Sequence, residues 1–214
     1  MKSNILVIIP CYNEEKTIRD IILQLKNYKI LIVNDNSTDN SEKIIKKMNV
    51  DFISHNSNLG YDQAILTGIK EAIKKKYEII CTFDADGQHN NLDLERMIKI
   101  FLKYDLDLLI GKRRKVLRFS ERLFNFYTDK KYGISDIFCG LKIYKLKTCK
   151  TYLKDFKENN LGINVALKLV KNGVRFKELS INENKRFDKS RIGSDLKVNL
   201  KNILRLFKEI FSWA

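Results

Sequence analysis

The sequence predicts an α/β fold, in which helices cover both faces of a mostly parallel central sheet. In the first half of the chain, short apolar runs alternate with amphipathic stretches whose apolar residues recur at helical spacing. Strands that alternate with helices at such intervals form parallel sheets. The length of 214 residues, with 44% hydrophobic and 31% charged residues, is that of one compact globular domain with a sizeable core.

The elements of the first half follow from apolar runs and the polar segments between them. Residues 5–9 are apolar and have the length of a buried strand, whereas residues 14–27 place Ile18, Ile21 and Leu25 on one helical face. The polar segment 36–39 can cap the helix that follows it. We predict strands at 4–9, 29–35, 50–54, 77–83 and 106–111, and helices at 14–27, 40–48, 61–75 and 92–104.

The pattern is looser after residue 111. We predict helices at 119–131, 161–171 and 195–213, strands at 141–144 and 174–181, and a mobile, polar and basic loop at 182–194. Neither an internal repeat nor a biased linker marks a second domain. We therefore expect one domain over residues 1–194, and a basic amphipathic helix over residues 195–214 that is part of this domain or appended to it.

The chain is strongly basic, with 41 Lys and Arg against 26 Asp and Glu and a formal net charge of +15. Such a surface favours polyanions, namely nucleic acid, nucleotide phosphates or an anionic membrane face, although a general compositional bias toward Lys would explain it equally well. No run approaches the roughly 20 apolar residues that cross a bilayer, and no cleavable signal peptide is recognised, so we expect a cytoplasmic protein. The four cysteines are scattered and indicate neither a zinc site nor a disulfide framework.

The most specific polar motif is Asp84-Ala85-Asp86, which follows an apolar strand. In extended chain the side chains of Asp84 and Asp86 point to one side, and Gln88 continues the alternation. Oxygen ligands placed in this way suit Mg²⁺ or Mn²⁺ and leave positions for substrate phosphates. The alternative is a pair of turn-forming, helix-capping aspartates. The position favours a site, because ligands of α/β sheets bind beyond the carboxyl ends of the strands.

Two further strand ends carry residues that can bind a nucleoside. Pro10, the only proline, is expected to end the first strand, and the ring of Tyr12 can stack on a base. Glu14 and Asp35 can accept hydrogen bonds from ribose hydroxyls or a base N–H. Turn formation and helix capping would account for both segments equally well.

Seven motifs, taken together, resemble the family 2 glycosyltransferases, which have the GT-A fold. The resemblance is closest to dolichol-phosphate mannose synthases and bacterial polyprenyl-phosphate sugar transferases, and the motifs follow the family's order between residues 5 and 194. Each motif is weak alone, whereas the ordered set is specific. The motifs are Ile-Pro-Cys-Tyr-Asn-Glu (9–14), Asn-Asp-Asn-Ser-Thr-Asp (34–39), Asn-Leu-Gly (58–60), Asp-Ala-Asp-Gly-Gln-His (84–89), Ile-Gly-Lys-Arg (110–113), Asp136 with Gly140, and Arg-Phe-Asp-Lys-Ser-Arg-Ile-Gly (186–193).

The resemblance implies transfer of a sugar from a nucleoside diphosphate with inversion at the anomeric carbon. It assigns nucleoside binding to Pro10, Tyr12, Glu14 and Asp35, the metal to Asp84, Asp86 and Gln88, and closure of a loop over a donor or acceptor phosphate to Arg186, Ser190 and Arg191. Asp84 is also expected to contact the nucleotide sugar, and Arg113 to face the phosphates. The chain departs from the family at Asn34 and Asn36, where Asp-Asp-Gly-Ser is frequent, and at Lys112, where Gly-Ser-Arg is frequent.

Asp136 and Arg113 are the candidate catalytic residues. A leaving diphosphate develops negative charge, which a divalent ion and the planar guanidinium of Arg113 would stabilise. If the acceptor is a hydroxyl, a general base must take its proton, and Asp136 is the candidate. If the acceptor is a lipid phosphate, the nucleophile is already an anion, and Asp136 would orient sugar hydroxyls or the surroundings of the acceptor phosphate. A loop-capping role for Asp136 is the alternative.

Two basic segments bear on the acceptor. Residues 112–115, together with Arg118, can face a phosphate or can be a solvated charge run. The last predicted helix can lie in the interface of an anionic membrane, or pack on the protein's own sheet or on a second subunit. Its apolar face consists of Leu196, Leu200, Ile203, Leu204, Phe207, Ile210 and Phe211.

These observations lead to the hypothesis of a metal-dependent, inverting glycosyltransferase. It would use Mg²⁺ or Mn²⁺ and a UDP- or GDP-sugar, and pass the sugar to polyprenyl phosphate at the inner membrane face. One alternative is transfer to a hydroxyl of a surface glycan such as lipopolysaccharide or capsule. Others are a catalytically silent GT-A scaffold and a basic nucleic-acid-binding module. No RNA-binding motif or helix-turn-helix pattern supports the last, so no specific nucleic acid is expected.

Overall fold

A sheet of seven strands forms the centre of the computed structural model, which describes residues 4–114, 116, 118–153, 162–184 and 195–211. The strands are β1 (Ile5–Cys11), β2 (Lys29–Asn34), β3 (Asp51–Ser54), β4 (Ile79–Thr82), β5 (Leu108–Lys112), β6 (Lys142–Lys145) and β7 (Phe176–Ser180). Their order across the sheet is β3-β2-β1-β4-β6-β5-β7. All neighbouring pairs are parallel except those of β6, which runs antiparallel to β4 and β5. The predicted mostly parallel α/β sheet is confirmed.

Helices lie on both faces of the sheet. They are α1 (Ile18–Gln24), α2 (Ser41–Lys47), α3 (Tyr61–Lys74), α4 (Asn91–Lys103), α5 (Phe119–Tyr132), α6 (Leu146–Leu153), α7 (Gly162–Lys171) and α8 (Asp195–Phe211). One apolar core contains buried residues of α1, α2 and α4, and the other contains buried residues of α3, α5, α6, α7 and α8. Every residue of β1 is buried because the strand is covered from both sides.

Alternation along β1 divides its side chains between the two cores. Val7 and Ile9 pack in the core of α1, α2 and α4, whereas Leu6 and Ile8 pack against α3. Gly68 explains how closely α3 approaches, because a Cβ at this position would lie 2.4 Å from Cγ2 of Ile8. A glycine inside a helix is unfavourable by itself, so its presence here reflects this close contact.

The prediction that Pro10 ends the first strand is wrong, because β1 continues through Pro10 to Cys11. The Ile8 carbonyl accepts from the Phe83 N–H at 3.0 Å, so the even-numbered residues of β1 direct their backbone groups toward β4. Since β4 ends at Thr82, the missing N–H of Pro10 falls beyond the last pairing position on that side. Pro10 still pairs with Val33 of β2 in register.

Two helices differ from the sequence prediction. The first helix begins at Ile18 instead of residue 14, because Glu14 to Thr17 forms a turn in which the Thr17 N–H donates to the Glu14 carbonyl at 3.1 Å. Helix α6 was not predicted, since its eight residues directly continue β6 and lack a polar break between the two elements. The other predicted elements are present with ends shifted by a few residues. Most of the predicted loop at 182–194 lies outside the described residues.

Helix α8 packs beside α5, and the two run in the same direction. The Asn202 amide donates to the Ser120 hydroxyl at 3.3 Å near the start of α5, and the Tyr132 hydroxyl donates to Glu209 at 3.1 Å at its end. The described residues contain no helix long and apolar enough to span a membrane. The boundary at residue 194 stays a prediction.

Candidate active site

The loops that follow β1 and β2 are joined by hydrogen bonds and form one wall of the candidate site. The Asn13 N–H donates to the Ser37 hydroxyl at 3.0 Å, and the Asn13 side-chain oxygen accepts from the Thr38 N–H at 2.7 Å. Asn13 has a φ of 55°, a left-handed conformation that Asn adopts more readily than most residues. The two segments with predicted nucleoside-binding residues therefore lie side by side at the carboxyl ends of neighbouring strands.

The predicted nucleoside-binding residues after β1 differ in exposure. Pro10 is buried within β1, Tyr12 is half-buried, and Glu14 is buried. The Thr17 hydroxyl donates to the Ala85 carbonyl at 2.6 Å and lies 3.4 Å from the Glu14 carboxylate. The loop after β1 is thus tied to the Asp-Ala-Asp segment after β4.

Asp35 is buried at the end of β2, and its carboxylate is held by groups of the protein. Oδ1 accepts from the Leu59 N–H at 2.9 Å and lies 2.7 Å from Nδ1 of His55, while Oδ2 accepts from the Gly60 N–H at 2.7 Å. Nε2 of His55 lies 2.9 Å from the Thr67 hydroxyl of α3. Asp35 therefore orders the turn before α3, and its contact with a nucleoside stays a prediction.

Asp84 is held from two sides. Its Oδ1 accepts from the Tyr61 hydroxyl at 2.8 Å, and its Oδ2 lies 3.3 Å from Nε2 of His89. Burial disfavours the charged carboxylate, but the contacts of His89 and Tyr61 and the charge of Lys142 outweigh burial and lower the pKa of Asp84. Burial also opposes protonation of His89, yet the adjacent Asp84 raises the pKa of the imidazole.

Gly140 lies directly against the carboxylate of Asp84. A Cβ at this position would lie 1.9 Å from Oδ2 of Asp84, so the carboxylate occupies the space that any other side chain would fill. The Thr82 hydroxyl fixes this arrangement, because it donates to the Gly140 carbonyl at 2.6 Å and accepts from the Lys142 N–H at 3.2 Å. The start of β6 is thereby joined to the end of β4.

The three predicted metal ligands lie in one turn, and they fit a divalent cation. Oδ1 of Asp86 accepts from the Gln88 N–H at 3.0 Å, and Gly87 between them has a φ of 80°. Two carboxylates and a carboxamide are hard oxygen donors of the kind that Mg²⁺ and Mn²⁺ prefer, and Gly140 leaves room for the Asp84 carboxylate. In the described part of the chain, no three His, Cys, Asp or Glu side chains cluster as a metal site.

Arg113 and Asp136 form a bidentate ion pair. Nε of Arg113 lies 2.7 Å from Oδ2 of Asp136, and Nη2 lies 2.8 Å from Oδ1. The carboxylate also accepts from the Arg113 backbone N–H at 3.0 Å and from the Asn125 amide at 3.3 Å. Although burial opposes the charge, Asp136 and Glu121 raise the pKa of Arg113 above its already high usual value. The structure therefore brings the two predicted catalytic residues into direct contact.

Three residues around this pair were missed by the sequence analysis. Glu121 accepts from Arg113 at 2.9 Å and from Arg118 at 3.1 Å, and Asn125 also accepts from the Ile137 N–H. Glu178 of β7 accepts from the N–H groups of Ser135 and Asp136, each at 2.9 Å. Arg118 and Glu121 stand three residues apart at the start of α5, and this spacing was a usable signal. Nothing in the sequence indicates the role of Glu178.

Lys142 was also missed. Its ammonium group is buried and donates to the Cys139 carbonyl. Burial lowers the pKa of Lys142, although the neighbouring Cys139, Asp136 and Asp84 act in the opposite direction. A lysine within the apolar strand Leu141 to Tyr144 was the available signal.

The remaining predicted residues fall in two groups. Arg186, Ser190 and Arg191 lie outside the described residues, so their role stays a prediction. In the basic run after β5, Lys112 and Arg114 are exposed, whereas Arg118 is half-buried beside Glu121. The basic segment therefore contains two solvated residues, and it also contains Arg118, which pairs with Glu121 beside Arg113.

Solved structures share this architecture. Glucosyl-3-phosphoglycerate synthase from Mycobacterium tuberculosis, in complex with Mn²⁺, UDP-glucose and phosphoglyceric acid, superposes with a TM-score of 0.68 at 15% identity, over 94% of this chain and 79% of that chain. The complex with Mn²⁺, UDP and glucosyl-3-phosphoglycerate gives the same TM-score and coverage. This likeness shows the GT-A fold, as predicted.

Comparison of the amino-acid sequence with known proteins shows the family of this chain. Residues 6–163 match the model of Glycosyl transferase family 2, and the chain belongs to that family. It is 34% identical to an uncharacterized protein of Methanocaldococcus jannaschii, over 84% of this chain and 81% of that protein. It is 35% identical to UDP-N-acetylglucosamine–dolichyl-phosphate N-acetylglucosaminyltransferase of Methanococcus voltae, over 52% of each chain. It is 31% identical to dolichol-phosphate mannosyltransferase of Pyrococcus furiosus, over 50% of this chain and 32% of that protein.

Proposed function

We propose that this glycosyltransferase transfers a sugar from a nucleoside-diphosphate sugar to the phosphate of a polyprenyl-phosphate-type lipid, with a divalent cation on the donor. The observation that carries the proposal is the pairing of Arg113 with Asp136. Four hydrogen bonds engage the Asp136 carboxylate, which favours a positioning role over that of a general base. A phosphate acceptor is already an anion and needs none.

The donor half of the site would lie at the ends of β1, β2 and β4. Tyr12 would offer its half-exposed ring to the base, while Asp35 would act through the turn that it orders. Asp84, Asp86 and Gln88 would hold Mg²⁺ or Mn²⁺ on the diphosphate. When bound, the cation would stabilise the negative charge that develops on the leaving diphosphate. The UDP and Mn²⁺ of the structural neighbours support this assignment.

The acceptor half would be built around Arg113. The side chain is only 18% exposed, and Asp136 and Glu121 fix its orientation from two directions. A guanidinium held in this way can pair with phosphate oxygens through its planar fork without reorganising. The family resemblance assigns Arg186, Ser190 and Arg191 to phosphate binding as well. The lipid acceptors in the names of the Methanococcus voltae and Pyrococcus furiosus enzymes support a lipid-phosphate acceptor.

The lipid acceptor implies contact with a membrane, and α5 and α8 offer a surface for it. Large apolar side chains are exposed along both helices, which run side by side. They are Phe119, Leu123 and Phe126 on α5, and Leu200, Leu204, Phe207 and Ile210 on α8. With a formal net charge of +15, this surface would bind an anionic membrane face, and α8 would act as part of the catalytic domain.

The test is transfer of labelled sugar in vesicles. The full chain is incubated with UDP- or GDP-sugars, Mn²⁺ and vesicles that contain undecaprenyl or dolichyl phosphate, and lipid-extractable label is measured. We expect label that requires the lipid phosphate, is lost with EDTA, and is absent in Asp86→Ala, which keeps its fold. Label that appears only on glycan hydroxyls would contradict the lipid acceptor. Failure of every donor would favour a silent scaffold.

A further inference from the structure

Tyr61 connects the segment after β4, which contains Asp84, with the turn that Asp35 orders before α3. It is the first residue of α3, its side chain is 37% exposed, and its hydroxyl donates to Oδ1 of Asp84 at 2.8 Å across a separation of 23 residues. The opposite oxygen of the same carboxylate faces Nε2 of His89. One donor on each oxygen therefore determines the plane of the Asp84 carboxylate. A second lone pair on each oxygen is left for a cation.

The position of Tyr61 is itself determined by Asp35. The carboxylate of Asp35 accepts from the N–H groups of Leu59 and Gly60, the two residues that directly precede Tyr61. Gly60 has a φ of 91° and a ψ of 162°, a backbone conformation that residues other than glycine rarely adopt. A Cβ at this position would meet no atom within 4 Å, so the backbone conformation and not space requires the glycine.

We propose that Tyr61 is a positioning residue for the cation site, and that it couples this site to the nucleoside side of the cleft through Gly60 and Asp35. The inference rests on the proposed function, since it assumes that Asp84 binds the cation. Tyr61 supplies a neutral donor, because the hydroxyl of tyrosine is uncharged at neutral pH. It therefore orients Asp84 without neutralising the charge that attracts the cation.

The loss of one hydroxyl tests this role. Groups that orient a metal ligand typically change metal affinity by about 10- to 100-fold when they are removed. In Tyr61→Phe we expect Mn²⁺ to bind at least about 10-fold more weakly in the presence of UDP or GDP. The ring is retained and is partly exposed, so unfolding without ligand should change little.

The matched control is Tyr132→Phe. The Tyr132 hydroxyl also donates to a carboxylate, that of Glu209, but it does so at the contact between α5 and α8. Free Mn²⁺ is measured by electron paramagnetic resonance during titration of the full chain at saturating nucleotide. A loss of about 10-fold in Tyr61→Phe with unchanged affinity in Tyr132→Phe would support the inference. Equal affinity of Tyr61→Phe and wild type would overturn it while leaving the proposed function intact.

A measurement on the wild-type chain covers the case in which Tyr61→Phe does not fold. Hydrogen exchange of the Leu59 and Gly60 amides is followed in the nucleotide complex, first with EDTA and then with Mn²⁺. Coupling through Tyr61 predicts slower exchange at both amides when Mn²⁺ is added, and unchanged exchange would overturn the coupling. If the wild-type chain binds no Mn²⁺ with either nucleotide, the proposal of a metal-dependent donor site is overturned, and this inference falls with it.

Discussion

Arg113 and Asp136 form a bidentate ion pair, with Nε 2.7 Å from Oδ2 and Nη2 2.8 Å from Oδ1. The pair joins the end of β5 to the segment that precedes β6. Asp136 is 1% exposed, and its hydrogen bonds are made to the protein itself. The carboxylate is therefore suited to hold the guanidinium in place. This relationship supports the proposed phosphate acceptor, because only a hydroxyl acceptor needs a free base.

Asp136→Asn should lower the free energy of unfolding on the order of 2 kcal/mol, because the half-buried Arg113 guanidinium would lose one of its two counter-charges and keep only Glu121. Urea unfolding at neutral pH measures the change. The control is Asp105→Asn, which removes the ion pairs of an exposed carboxylate with Lys145 and Arg175 and should leave the midpoint nearly unchanged. Equal stability of the two variants would show that the Arg113–Asp136 pair does not stabilise the fold.

Gly140→Ala should abolish Mn²⁺-dependent binding of nucleotide, because the added Cβ would lie 1.9 Å from Oδ2 of Asp84 and displace the carboxylate. Thermal unfolding with UDP or GDP, with and without Mn²⁺, measures the loss. A ligand at about 100 times its dissociation constant stabilises the native state by about 2.7 kcal/mol, so the wild-type shift is measurable.

Gly68→Ala is the matched control for Gly140→Ala. Its Cβ would lie 2.4 Å from the Ile8 side chain, in the core beneath α3. We expect a loss of stability of about 1–3 kcal/mol from overpacking, with the Mn²⁺-dependent shift retained. A retained shift in Gly140→Ala would contradict the role of Asp84 as a cation ligand.

Stability should fall at alkaline pH because of the buried thiols. Burial raises the pKa of Cys11, Cys139 and Cys149 to about 12, and it also raises that of Cys81. The ordinary pKa of a thiol is 9.0, so the unfolded chain releases these protons first and the native state binds more of them above that pH. The stabilisation is complete below pH 9 and is lost as pH rises toward 12.

Each thiol contributes a slope of about 1.4 kcal/mol per pH unit once the unfolded form is ionised. Urea unfolding between about pH 8 and pH 10 measures the combined slope. Cys149→Ala should reduce this slope by the share of one thiol, while the pH dependence below about pH 8 stays that of the wild type. A slope that is the same in both proteins would contradict the assignment.

Binding to anionic vesicles should depend on the apolar side chains of α5 and α8. Phe126→Ser together with Phe207→Ser should weaken co-sedimentation with phosphatidylglycerol vesicles by roughly 10-fold or more, because two aromatic rings would no longer enter the interface. Leu23→Ser with Leu92→Ser is the control, since these side chains are 50% and 76% exposed on α1 and α4. Equal losses in both double variants would contradict a specific membrane surface.

Much of the fold could be predicted because its signals are local. The apolar runs of β1 and β2, and the helical spacing of α3 and α4, follow from which side chains must be buried. The antiparallel direction of β6 and the extension of β1 through Pro10 could not be predicted. Both depend on which strand lies alongside, and the sequence of one strand does not contain that information.

The sequence alone determined the α/β class, the order of most elements and the positions of Asp35, Asp84 and Asp86 at strand ends, because burial periodicity and motif spacing are properties of neighbouring residues. Only the tertiary structure decided which of these side chains meet. The contact of Asp136 with Arg113 and that of Asp84 with Tyr61 each span 23 residues. Such contacts depend on the path of the chain between strands, so the ion pair of Asp136 with Arg113 could be seen only in the structure.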